Sequence, residues 1–477
     1  MDIESKGNNQ KDLSRQDSFS SRSPFEDIPL LLPQESDGLV SNGDQKLNGM
    51  LKKKHDHHLS QADGVHGSFL SSHDSEDDHH SIDPRSDDLE SYEWWETTAN
   101  DDNDASASDY GDIGPRAACH CQIIRSVSQW SAGTSPTEES IHTAYCSLIE
   151  KAEHFIYIEN QFFISGLAED DIIQNRVLEA LYRRILRAYK EQKCFRVIVV
   201  IPLLPGFQGG LDDMGAATVR ALVHWQYRTI SREKTSILHH LNTKLGPKTW
   251  DYISFYGLRS YGRLSDGGPI ATSQVYVHSK LMIIDDRLAL IGSSNINDRS
   301  LLGSRDSEIG VVIEDKEFVE SSMNGESWKA GKFAHSLRCS LWSEHLGLQP
   351  GEISMISDPV LEQTYRNLWL ATAEANSKIF QDVFACIPND LIHSRAALRQ
   401  DMAYWKDKLG HTTIDLGIAP EKLETKDDGQ TQSADPMERL KLVKGHLVSF
   451  PLKFMCQEDL RPVLIESEFY ASPQVFH

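Results

Sequence analysis

Val277-His278-Ser279-Lys280-Leu281-Met282-Ile283-Ile284-Asp285-Asp286-Arg287-Leu288-Ala289-Leu290-Ile291-Gly292-Ser293-Ser294-Asn295 decides the fold. The apolar residues on either side of Asp285-Asp286 predict a hairpin: a strand over Val275–Ile284, a two-aspartate turn, and a returning strand over Leu288–Ile291. Successive side chains of a strand leave opposite faces, so His278 and Lys280 share one face while Ser279 and Leu281 point the other way. A neutral imidazole beside an ammonium suits a phosphate diester. The His attacks phosphorus or moves a proton at a leaving oxygen, and the Lys offsets charge on the non-bridging oxygens.

The returning strand brings Gly292-Ser293-Ser294-Asn295 back to the same end. Gly292 permits close backbone approach, and Ser293 and Asn295 supply neutral hydrogen bonds for phosphate oxygens. Glu308 opens the next strand and is placed to orient His278 through its far ring nitrogen. Asp285 belongs to the catalytic motif by position, but at the turn its expected role is to fix the hairpin. No metal-ligand set accompanies these groups, so the chemistry read here is metal-free. A single His on a strand is more often a packing residue, and a single Lys is usually solvated. Six fixed residue types at fixed spacing are different, since chance gives them about once in 10⁵ chains of this length.

Outward from the hairpin, helix and strand patterns alternate. Ile141, Ala144, Tyr145, Leu148, Ile149 and Ala152 recur at helical spacing after Ser135-Pro136, and Phe155–Ile158 is a β-rich run. Residues 169–190 and 216–232 are amphipathic helices. Arg196–Ile201, stopped by Pro202, reads as a strand buried on both faces. Ile253–Leu258 and Ile309–Ile313 complete the strands, and after residue 316 a mainly helical region is expected out to about residue 400. The fold class is α/β, a mixed sheet flanked by helices. The glycine-rich loop 206–215 lacks the Gly-Lys-Ser/Thr ending of a nucleotide loop and reads as a connection lining a pocket.

The 477-residue chain carries a formal charge of −23, and residues 1–112 hold 26 acidic against 9 basic side chains. That segment is low in spaced apolar residues and is expected to be a disordered acidic linker. Its His-Asp runs at 55–58 and 77–80, like Cys119-His120-Cys121, read as low-complexity or ordinary sequence, because no further ligand pair follows at metal-site spacing. Seven scattered cysteines suggest reduced thiols. The polar start MDIESKGNNQ has no apolar leader, and no run approaches the ~20 residues that span a bilayer. The acidic balance argues against a nucleic-acid partner.

The pattern HxKx₄Dx₆GSxN resembles the HKD signature of the phospholipase D superfamily and matches at every position. Ile156–Ser165, Arg125–Gly133, Ile296–Glu308 and the C-terminal EFYASPQVFH are similar to eukaryotic members, most of all the plant class that carries PX and PH domains, the zeta class. The resemblance implies a phospholipase D-like lobe that hydrolyses phosphatidylcholine and related lipids to phosphatidic acid and a free head group. It also implies phosphatidyl transfer to primary alcohols, a phosphohistidine intermediate, possible phosphoinositide activation and no cofactor in the chemistry. Members carry two HKD motifs facing one another, whereas this chain has one. It reads as the second lobe, over residues 113–315, with 316–477 a helical extension packed on it. The second-lobe position implies that His278 is the acid–base partner rather than the nucleophile. Glu159 and Gln161 are candidate pocket residues. A second HKD lobe, from another copy or another chain, is the expected partner beside a phospholipid surface, with a cytoplasmic, peripherally membrane-associated location. The alternatives are a catalytically silent module that binds lipid or a partner, and a nuclease-like phosphodiesterase.

Overall fold

The computed structural model describes residues 117–207, 210–212, 216–409, 417–427 and 430–461. The acidic segment 1–112, much of the glycine-rich loop and the C-terminal EFYASPQVFH lie outside them. The strands are β1 (Cys119–Val127), β2 (Glu138–Glu139), β3 (Phe155–Glu159), β4 (Arg196–Val200), β5 (Ile253–Arg263), β6 (Ile270–Gln274), β7 (Leu281–Ile284), β8 (Leu288–Gly292), β9 (Glu308–Asp315), β10 (Phe318–Met323), β11 (Glu326–Gly331), β12 (Gly417–Ile418), β13 (Leu423–Asp427), β14 (Gln430–Ala434) and β15 (Leu447–Ser449). One mixed sheet runs in the order β12-β6-β5-β4-β3-β7-β8-β9-β1-β2, with β15 also paired to β5.

The centre of that sheet follows from unbroken apolar runs. β3 and β4 are parallel, and every residue of both is buried. Ile156, Ile158, Val197 and Val199 enter one core with Leu178, Leu181, Val219, Val223, Ile237 and Leu241, which come from the helices Val177–Lys190, Ala217–Ile230 and Ile237–Leu245. The alternate residues Phe155, Tyr157, Ile198 and Val200 enter a second core with Trp342, Tyr365 and Trp369. A strand with helices on both faces has no polar side, which is why β4 reads Arg-Val-Ile-Val-Val without alternation. Helical crossovers join β3 to β4 and β4 to β5, as parallel neighbours require. From β3 outward, β7, β8, β9 and β1 form an antiparallel meander.

Three elements differ from the sequence expectation. The strand expected over Val275–Ile284 begins only at Leu281, because β3 ends at Glu159 opposite Leu281 and β8 ends at Gly292, leaving no ladder for residues 276–280. His278 and Lys280 therefore sit on an extended but unladdered approach to β7. The helix expected over 169–190 starts at Val177. Ahead of it, the Asp170 carboxylate accepts from the Ile172 and Ile173 N–H groups and pairs with Arg228, holding a turn instead. Past residue 316 the chain is not helical alone. The hairpin β10–β11 precedes the helix Lys332–Leu346, and β12 and β15 return to the main sheet. None of the described helices is long and apolar enough to cross a membrane.

Candidate active site

The turn of the β7–β8 hairpin sets the register of everything at its open end. Asp285 and Asp286 both take left-handed φ, +52° and +53°, and the Ile284 carbonyl accepts from Arg287 N–H at 2.9 Å. That is the turn whose twist matches a hairpin, and aspartate tolerates its backbone better than most residues. The Asp285 carboxylate accepts three backbone N–H groups, from Glu153, His154 and Phe155, at 2.7, 2.7 and 2.8 Å. It ties the hairpin to the start of β3. Burial pushes its pKa up against those three hydrogen bonds.

At the other end, the loops leaving β3 and β8 are clipped together by Asn160. Its Oδ1 accepts from Phe162 and Ile296 N–H at 3.1 Å each, and its Nδ2 donates to Ser294 O at 3.3 Å. This places Gln161 beside Lys280. The lysine is 8% exposed, and its Nζ donates to Gln161 Oε1 at 3.1 Å and to the His278 carbonyl at 2.6 Å. Among the described residues no carboxylate lies within ion-pair distance of it. Burial holds its pKa below the ordinary lysine value, and the more distant Glu308 works against that. His278 is exposed, and its ring forms no hydrogen bond with the described residues. Desolvation first, then the neighbouring Lys280 charge, lowers its pKa, so the imidazole is neutral near pH 7.

Gly292 lies hard against β9: a Cβ there would meet Ile309 O at 2.6 Å and Gly310 Cα at 2.8 Å. Close approach of the two strands is what the glycine allows. Ser293 is exposed, and its hydroxyl donates to the Glu308 carboxylate and accepts from Ile309 N–H at 3.1 Å. Glu308 thus meets Ser293 and not the His278 ring, so among the described residues it does not make the contact expected of it. Asn295 has a buried Oδ1 without a hydrogen-bond partner. Buried polar atoms usually find a hydrogen-bond partner, and this one has none among the described residues.

The two residues expected in the pocket separate. Gln161 reaches the side of Lys280 and also donates from Nε2 to Tyr276 Oη at 3.1 Å; Tyr276 in turn accepts from Gly206 N–H at 3.1 Å. Glu159 lies on the opposite face, 4% exposed, accepting from Ser279, Tyr157 and His345. Burial alone would raise its pKa, but donation from His345, Ser279 and Tyr157 holds the carboxyl below its usual range. Sequence reasoning passed over Asn160, Tyr276, Ser279 and His345. Tyr276 and Ser279 flank His278 closely enough to have been found by strand alternation, whereas nothing local marks His345. No group of three or more His, Cys, Asp or Glu side chains among the described residues is arranged to hold a metal ion.

A protein-family model described as Phospholipase D matches residues 73–393, more than half of the chain. "Phospholipase D zeta 1" of Arabidopsis thaliana is 63% identical over 494 residues, which cover 100% of this chain and 44% of that protein. "Phospholipase D zeta 2" of the same plant is 64% identical over 468 residues, 98% of this chain and 40% of its own. "Phospholipase D1" of Homo sapiens is 42% identical over 344 residues, 72% of this chain and 30% of its own. The chain thus spans less than half the length of these relatives.

Proposed function

Because the chain belongs to the phospholipase D family, we propose that it supplies one half of a phospholipase D site that hydrolyses phosphatidylcholine and related phospholipids to phosphatidic acid and a free head group. The observation that carries this reading is Lys280, buried and, among the described residues, without a carboxylate partner, next to a His278 ring that none of those residues hydrogen-bonds. A buried ammonium without a counter-ion is costly unless an anion joins it, and a phosphodiester is such an anion.

In this reading a nucleophilic nitrogen from a second lobe attacks phosphorus, and the head-group oxygen leaves with a proton from His278. Water then attacks the phosphohistidine phosphorus while His278 takes the water's proton, which restores the site. Arrival of the anionic phosphate offsets the Lys280 charge and raises the proton affinity of His278, so the imidazole is charged when the leaving group needs it. Lys280, Ser293 and Asn295 bind the phosphate oxygens. Asp285 acts from the turn, and Glu308, bonded to Ser293 here, orients His278 only when a second lobe redirects it.

The second lobe is supported by the surface next to Ser293. β1 and β9 pair Arg125 with Ile309, so Ile123 and Ile309 share one face of the sheet. They are 64% and 61% exposed, and Trp130 beyond the end of β1 is 69% exposed. Apolar side chains this open at a site's rim suit a covering partner, and relatives more than twice as long have the sequence to supply one. The test is phosphatidyl-alcohol formation from phosphatidylcholine vesicles and a primary alcohol. The purified chain is assayed alone across concentration and with a first lobe co-expressed from a relative, each against His278→Ala. Product that depends on His278 supports the reading. No product in either arm, at any lipid composition, sinks it.

A further inference from the structure

The segment that presents His278 and Lys280 has little backbone to hold it. Between Val275, whose N–H donates to Leu258 O, and Leu281, where the β7 ladder starts, the described backbone bonds reduce to Gly292 N–H donating to Lys280 O at 3.1 Å. Two side chains would drift on such a segment unless something fixes it from behind. Ser279 alternates with them and faces the other side of the sheet. Its hydroxyl donates to Glu159 Oε2 at 2.6 Å. The same carboxylate accepts from Tyr157 Oη at 2.6 Å and from His345 Nε2 at 2.8 Å, both on Oε1.

Each of these contacts ties the segment to something rigid. Glu159 ends β3, the strand buried on both faces, and its Cα partner is Leu281, the first laddered residue after the catalytic pair. Tyr157 packs edge-on against Trp342 and Trp369, with ring centroids 5.8 and 6.2 Å away. His345 closes the helix Lys332–Leu346, and its carbonyl accepts from His446 N–H just ahead of β15. His345 Nδ1 is buried without a hydrogen-bond partner among the described residues, and Nε2 is the nitrogen that faces the carboxylate. An ionised, buried carboxylate with three donors is a strong, directional anchor.

We propose that Glu159 is a positioning residue: through the Ser279 hydroxyl it holds His278 and Lys280 side by side, and through His345 it makes that geometry depend on the C-terminal helix Lys332–Leu346. This rests on the assignment of His278 and Lys280 as the reacting pair. Glu159 touches neither substrate nor the reacting atoms. Its effect is on where the Lys280 ammonium stands relative to the imidazole, and misplacement of that kind is costly to rate without changing ground-state binding much.

The test uses Ser279→Ala, Ser279→Thr and Glu159→Gln in the full chain, with two readouts. The first is the NMR titration of the His278 ring, identified as the signal that His278→Ala removes. Released from its anchor, the segment lets Lys280 move away, so the titration moves upward in Ser279→Ala and Glu159→Gln and returns to the wild-type position in Ser279→Thr. The second is turnover in the vesicle assay with whichever partner lobe supports activity. There kcat falls about ten-fold in Ser279→Ala with KM within about two-fold, and Ser279→Thr recovers most of it. A wild-type titration and wild-type kcat in a folded Ser279→Ala would overturn the proposal, even if Glu159→Gln fails to fold. If wild type shows no turnover, the functional reading fails, and the His278 titration still decides the positioning role.

Discussion

The two ends of the β7–β8 hairpin are opposites. At the turn, every charge is matched. Asp286 is 0% exposed and receives Arg338 at 2.7 and 2.8 Å and His335 at 2.8 Å, while Asp285 gathers three backbone donors. At the open end, Lys280 has no such charged partner among the described residues. Lys280 is buried on an amide and a carbonyl, and among the described residues the His278 ring and Asn295 Oδ1 have no hydrogen-bond partner. One hairpin therefore pairs its polar groups at one end and leaves them without partners among the described residues at the other. The satisfied end is what lets the unsatisfied end stay in place.

That contrast is broken most severely at the open end. His278→Ala is expected to reduce turnover by at least about 10³-fold while unfolding free energy stays within ~0.5 kcal/mol, since an exposed ring without hydrogen bonds supports little structure. Parallel product assays and urea titrations check both halves. At the turn the pattern reverses. Asp286→Ala strands Arg338, itself 0% exposed, and should cost about 3–5 kcal/mol of stability, read as a lower urea midpoint. Asp285→Ala orphans three N–H groups at the start of β3 and should cost about 1–3 kcal/mol by the same measurement, lowering activity only through loss of folded protein.

The smallest effect is a pH dependence confined to the turn. Burial works against a charge on His335, but the hydrogen bond to Asp286, with Cys339 adding to it, lifts its pKa to about 9 from 6.5. Because the folded-state value is the raised one, this contribution is complete below about pH 6.5 and is lost as pH rises through about 9. Melting temperature should therefore decline over that window in the wild type and decline less in His335→Gln. An equal slope in both proteins would remove His335 from the account.

Much of the hairpin was legible because its signals are local. Apolar runs either side of Asp285-Asp286 predict two strands and a turn, and period-two alternation puts His278 with Lys280 and Ser279 behind them. β1 was not legible: Cys119–Val127 is a strand through its eight-residue pairing with β9, almost 200 residues away, and its own composition is mixed. The returns of β12 and β15 to the sheet were hidden for the same reason. Gln161 and Glu159 looked alike in sequence, two apart on one run. The end of β3 at Glu159 separates them, sending Glu159 into the core behind Ser279 and leaving Gln161 free to reach Lys280.

By itself the sequence determined the family, because residue types at fixed short spacing mark it and the same run carries its own turn. It determined the central strands too, since their burial on both faces is written as unbroken Val, Ile and Phe. Only the tertiary structure decided which polar groups are matched and which are left open. Glu159 meets His345 across 186 residues, Asp286 meets Arg338 across 52, and Glu308 meets Ser293 instead of His278. Those pairings depend on where helices and strands from distant parts of the chain come to rest. Contacts across such sequence separations are decided by that packing and not by the local run of residues.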